Sequence, residues 1–133
     1  MDTENPVIIQ IDEDENYLTI GELICFNMGL TISAKAKSII EAKEIITRIE
    51  AKRLKPDIAI ISSMIELNLD DGMKLTKKLR EIVPEIRIIA YTTDAEANWG
   101  DKLALKTSKD SKETLIRALE EYTKHSFKFS NLP

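Results

Sequence analysis

The chain has 133 residues, 43% hydrophobic and 32% charged, with a net charge of −4, the profile of one ordinary globular domain long enough to bury a sizeable core. The negative balance argues against a phosphate-backbone binder, which needs a concentrated positive patch, so nucleic acid is not an expected partner. One Cys excludes an internal disulfide framework and a Cys-rich zinc site, while the lack of any run of about 18 apolar residues and the acidic start Met1-Asp2-Thr3-Glu4 predict a cytoplasmic chain without membrane contact.

Val7–Ile11 reads as a buried strand leading into Asp12-Glu13-Asp14-Glu15. Asp14 is placed to cap a helix whose apolar face is Tyr17, Ile20, Ile24 and Met28, and Gly29 closes it. Cys25 lies in that stripe and reads as a buried thiol. Leu30–Ala36 alternates apolar and polar residues, as a half-exposed edge strand does. Ser38 and Glu41 have the spacing of a capping box, and Ile39, Ala42, Ile45, Ile46 and Ile49 predict a helix to about Lys52.

Pro56 ends that pattern, and Ile58–Ile61 has the length and branching of a strand buried on both faces. In an open α/β sheet chemistry gathers where such strands end, which puts Ser62 and Ser63 at the rim of a crevice. Met64–Asp71 is a loop, after which Asp70 or Asp71 caps a helix carrying Leu75, Leu79 and Ile82 that Pro84 terminates. Ile86–Thr92 is the fourth strand. Thr93-Asp94-Ala95-Glu96 is again a capping box, but Gly100 limits its helix to little more than a turn. Trp99, at that helix's end, either packs down or offers an anchor to a partner. Leu103–Lys106 is a short fifth strand, and Asp110 or Ser111 starts a helix with Leu115, Ala118, Leu119 and Tyr122 that runs to about His125. The domain is expected over residues 1–126, with 127–133 as a tail. Strands alternating with helices five times, through short connections, predict an α/β fold: a doubly wound parallel sheet covered on both faces.

With the strand ends aligned, the acidic pair Asp12-Glu13, Thr92 at the end of the fourth strand and Lys106 closing Leu-Ala-Leu-Lys form a combination. Over about residues 5–125 the chain resembles the CheY-like receiver domains of two-component response regulators. The resemblance implies a flavodoxin-like five-stranded sheet of order 2-1-3-4-5, for which the chemotaxis receiver is a standard example. It also implies a place in signal transduction, with Asp12 and Glu13 as magnesium-holding acids, Thr92 as the switch hydroxyl and Lys106 as the site lysine. The phosphoacceptor position falls on Ser62, counted from Pro56-Asp57. Leu103 stands where the family places an aromatic and Thr107 where it places a proline. The loop before Gly72 is longer than usual and the fourth helix is shortened.

These departures imply a pseudo-receiver. A receiver's carboxylate attacks a phosphoryl donor to form a labile acyl phosphate, while magnesium neutralises the developing charge. Ser62 cannot form that species, and it leaves Asp12 and Glu13 as the anionic ligands, with Lys106 as their natural counter-charge. The expectation is no cofactor, or weak magnesium binding through these carboxylates and water. An enzyme is not expected: a serine nucleophile needs a base, the one histidine, His125, falls in the C-terminal region, and neither a nucleophile elbow nor a Gly-rich phosphate loop is present. The expected function is a phosphorylation-independent interaction module. It would contact a protein partner, or a second copy, through Ala95–Trp99, Leu103–Lys106 and Leu115–Tyr122. The alternative is a regulator phosphorylated with magnesium at a non-standard acceptor, Asp70 or Asp71, reaching in from the lengthened loop.

Overall fold

The computed structural model describes residues 5–66, 68–107 and 111–128. In chain order it contains β1 (Ile8–Ile11), α1 (Glu15–Asn27), β2 (Ile32–Ala36), α2 (Ile39–Glu50), β3 (Ile58–Ile61), α3 (Asp71–Ile82), β4 (Arg87–Thr92), β5 (Lys102–Leu105) and α4 (Glu113–Thr123). The strands form one parallel sheet in the order β2-β1-β3-β4-β5.

β1 and β3 are buried at every position, so their sequences show no alternation. Successive side chains still point to opposite faces. Ile8, Ile58, Ile60, Ile89 and Tyr91 pack with Ile24, Cys25, Leu115 and Leu119 of α1 and α4. Ile9, Ile11, Ala59, Ile61 and Ile88 pack with Ala42, Ile45, Leu75 and Leu79 of α2 and α3. The edge strand β2 alternates as its sequence predicts.

Two helix starts follow their local signals. Asp14 accepts a hydrogen bond from the Asn16 amide. Ser38 Oγ accepts from the Glu41 amide, while Glu41 Oε1 reaches back to the Lys37 amide, one residue before the usual capping-box partner. Gly29, at φ +75°, takes the left-handed conformation that lets the chain leave α1.

Four readings change. No helix forms between β4 and β5. Asp94 instead accepts from the Glu96 amide through its carboxylate and from the Ala97 amide through its carbonyl, which makes a turn. The reason lies further along: a Cβ on Gly100 would sit 3.0 Å from the Ala90 Cβ and backbone N, so the chain drops directly onto β4. Asp70 occupies the N-cap position of α3 without a side-chain cap bond. Asp71 turns away from its helix, its Oδ2 accepting from the amides of Ile65 at 3.4 Å and Glu66 at 3.1 Å. The last helix starts at Glu113, after Ser111, and Asp110 lies outside the described residues. Finally, Phe127 packs against the core under α1 and α4, and the Asn27 side chain bonds both the amide and the carbonyl of Lys128, at 2.7 and 3.1 Å.

Candidate functional site

The carboxyl ends of β1, β3, β4 and β5 meet in one crevice with a cavity of about 300 Å³, lined among others by Asp12, Glu13, Tyr17, Ser62, Ser63, Thr92 and Lys106. Sheet register brings them together. The Asp12 amide bonds Ala36 O, the Ser62 amide bonds Ile11 O and the Lys106 amide bonds Thr92 O, each continuing a ladder one residue past its strand.

Lys106 is the centre of the site. Its Nζ lies 2.5 Å from Asp12 Oδ2 and donates to Ser62 Oγ at 3.2 Å. It stands 4.3 Å from the centroid of the Tyr17 ring and 5.5 Å from that of Tyr91. The two rings meet edge to face, 5.6 Å apart. Tyr17 also donates its hydroxyl to Lys106 O at 3.3 Å. Asp12 is 1% exposed, and burial pushes its carboxyl above the usual aspartate range, with the charge and hydrogen bond of Lys106 pulling the other way. Its other oxygen accepts from the Asp14 amide at 3.0 Å.

A second set of hydroxyls lies beside this one. Ser63 donates to Thr92 Oγ1 at 2.8 Å, and Thr92 Oγ1 also accepts from the Asp94 amide at 3.1 Å.

The structure thus gathers Asp12, Ser62, Thr92 and Lys106. Glu13 lines the crevice from an exposed position. Leu103 does not join them: Ala104 points into the α1/α4 core, which turns Leu103 and Leu105 to the other face, where both are half-buried. Asp70 pairs with Lys74, Asp71 holds the loop, and neither lines the crevice. His125 lies with its Nδ1 2.8 Å from Met28 O, at the end of α1 remote from the crevice, a helix length of roughly 20 Å away. Trp99 packs down, half-buried against the α2/α3 side.

Two features of the donor set work against magnesium: the buried carboxylate is engaged by an ammonium, and Ser62 contributes a neutral hydroxyl. Ser63 stands at the crevice rim as its sequence position predicts, whereas Tyr17 and Tyr91 are site residues that the sequence reading does not single out. Tyr91 carried a signal, since the residue before a strand-end threonine points to the opposite face and toward a lysine on the next strand.

No protein-family model matches the chain, and no curated protein sequence matches it. Solved structures do. A CheY-like response regulator receiver domain from Methanospirillum hungatei matches with a TM-score of 0.66 and 21% identity, over 90% of this chain and 98% of that one. The signal receiver domain of an HD domain-containing protein from Pseudomonas fluorescens gives 0.71 at 16% identity, over 90% and 95%. A response regulator from Thermotoga maritima gives 0.70 at 15% identity, over 90% and 98%. With the strand order and the strand-end crevice, these likenesses establish that the chain has the flavodoxin-like fold of CheY-like receiver domains.

Proposed function

We propose that the chain is a receiver-type module of two-component signalling that lacks the phosphoacceptor and acts independently of phosphorylation. It works by binding a protein partner or a second copy of itself, and it catalyses no reaction. The observation that carries the reading is the environment of Ser62. Its hydroxyl lies at the end of β3, 3.2 Å from Lys106, whose ammonium is paired at 2.5 Å with the buried Asp12. Cation and anion satisfy each other there, so a phosphoryl group arriving at the end of β3 meets a serine hydroxyl in place of a carboxylate and a lysine already committed to Asp12.

The surface offered to a partner is the β4–β5 turn, β5 and the outer face of α4, where Leu103, Leu105 and Trp99 are half-buried. No described helix is long and apolar enough to cross a membrane. A cytoplasmic setting, where response regulators meet their partners, belongs to the same proposal.

The test is intact mass after incubation with acetyl phosphate and magnesium. Unchanged mass is expected. A single phosphoryl adduct released by hydroxylamine would overturn the reading, and Asn substitutions at Asp70 and Asp71 would then locate the acceptor.

A further inference from the structure

We propose that Ser63 is a positioning residue that holds Thr92 in one orientation and thereby fixes the shape of the β4–β5 connection. The proposal deepens the phosphorylation-independent reading and rests on it.

Thr92 Oγ1 has two donors: the Ser63 hydroxyl at 2.8 Å and the Asp94 amide at 3.1 Å. Asp94 passes the constraint on, since its carboxylate takes the Glu96 amide at 2.9 Å and its carbonyl the Ala97 amide at 3.1 Å. The first half of the connection therefore hangs from one hydroxyl, whose partner is 8% exposed.

Ser63 is itself anchored. The Gly72 amide donates to Ser63 O at 2.9 Å, and α3 approaches so closely that a Cβ on Gly72 would fall 2.2 Å from Ser62 O and 3.0 Å from the Ser63 Cα. α3 holds the far end of the connection as well. Arg80 donates to Trp99 O at 3.0 Å and pairs with Asp101 at 3.2 Å, while Asp101 accepts from the Ile88 amide at 2.8 Å. One helix thus grips both ends of the connection, at the first through Ser63. A buried threonine hydroxyl turns about χ1 toward whatever partner its surroundings supply. Here the partner is a built-in serine that never leaves, so the connection and the surface beside it keep one form without a bound phosphoryl group.

The test is amide hydrogen exchange at Asp94, Glu96 and Ala97 in the full chain, with the Ile9 and Ile60 amides as internal reference for global folding. Ser63→Ala should speed exchange at the three turn amides roughly tenfold and leave the reference amides unchanged. Thr92→Val should do at least as much, and adding Ser63→Ala to it should change nothing further, because both remove the same link. Thr92→Ser, which retains the hydroxyl, should keep the protection. If Ser63→Ala disturbs the reference amides, Ser63→Cys supplies the comparison, with a weaker donor of similar size. Exchange at the turn within about twofold of wild type in either folded Ser63 variant sinks the proposal. A phosphoryl adduct on the wild-type chain sinks the phosphorylation-independent reading instead, so the two failures are distinct.

Discussion

Lys106→Met is the substitution that probes the site most directly. It keeps most of the apolar stem and removes the ammonium. Asp12 then stays buried without its counter-charge, because its side chain is 1% exposed and that of Lys106 is 7% exposed. Breaking a buried pair on one side costs about 3–5 kcal/mol, and the contact with the Tyr17 ring adds about 1 kcal/mol. Against a net stability of roughly 5–15 kcal/mol, this is a large fraction. The loss depends on pH. Burial already raises the Asp12 pKa and Lys106 opposes it, so the variant carboxyl titrates higher still. A carboxyl whose folded pKa is raised favours the fold while protonated, and that contribution disappears as pH rises from the unfolded value through the folded one. The penalty is therefore smallest near about pH 4 and grows as the pH rises toward neutrality. Denaturant unfolding of wild type, Lys106→Met and Asp12→Asn/Lys106→Met at both pH values measures it. The double variant should recover most of the loss, since no uncompensated charge remains. A single variant within about 1 kcal/mol of wild type at neutral pH would mean that the pair behaves as a surface ion pair, which refutes the argument.

Gly72→Ala, worth roughly 1 kcal/mol of gain in an open helix, should instead lose about 1–3 kcal/mol because its Cβ meets the Ser62 carbonyl; thermal unfolding decides. Asp71→Ala should lose about 1–3 kcal/mol and open the loop to proteolysis between Met64 and Asp70, because two amides lose their acceptor. Asn27→Ala should cost about 1 kcal/mol and speed exchange of the Lys128 amide, whereas an unchanged rate would show that Asn27 does not hold that segment. Burial pushes the Cys25 thiol up to about 12, so a thiol reagent at neutral pH should leave it unmodified until the chain unfolds.

The strands, α1 and α2 were legible because their signals are redundant. Each combines periodicity with a flanking Asp, Ser, Gly or Pro, and the isoleucine runs fit a strand covered on both faces. The site was legible in part through the resemblance to receiver domains, which supplied the strand order and so brought Asp12, Ser62, Thr92 and Lys106 together, since strand-end residues of a parallel sheet converge whatever their own chemistry. The turn at Asp94 was not legible. An aspartate or threonine that caps a helix and one that closes a turn use the same local hydrogen bonds, and the choice was made by the contact of Gly100 with Ala90, ten residues away in sequence and invisible to a local pattern. Asp71 misled for a similar reason, since its carboxylate serves the loop before it instead of the helix it opens. The role of Ser63 required knowing that its hydroxyl reaches Thr92, which spacing alone does not reveal.

A parallel crossover ordinarily takes a dozen or more residues and a helix. The path from β4 to β5 uses residues 93–101, and the Asp94 turn consumes the first part. The rest turns back along β4 through bends at residues 99–101 and is fastened there, by Arg80 at Trp99 O and Asp101 and by the two bonds between Asp101 and Ile88. A helix in that place could roll or slide and swallow a small displacement. A short strap pinned at both ends leaves few residues in which a shift at Thr92 can dissipate.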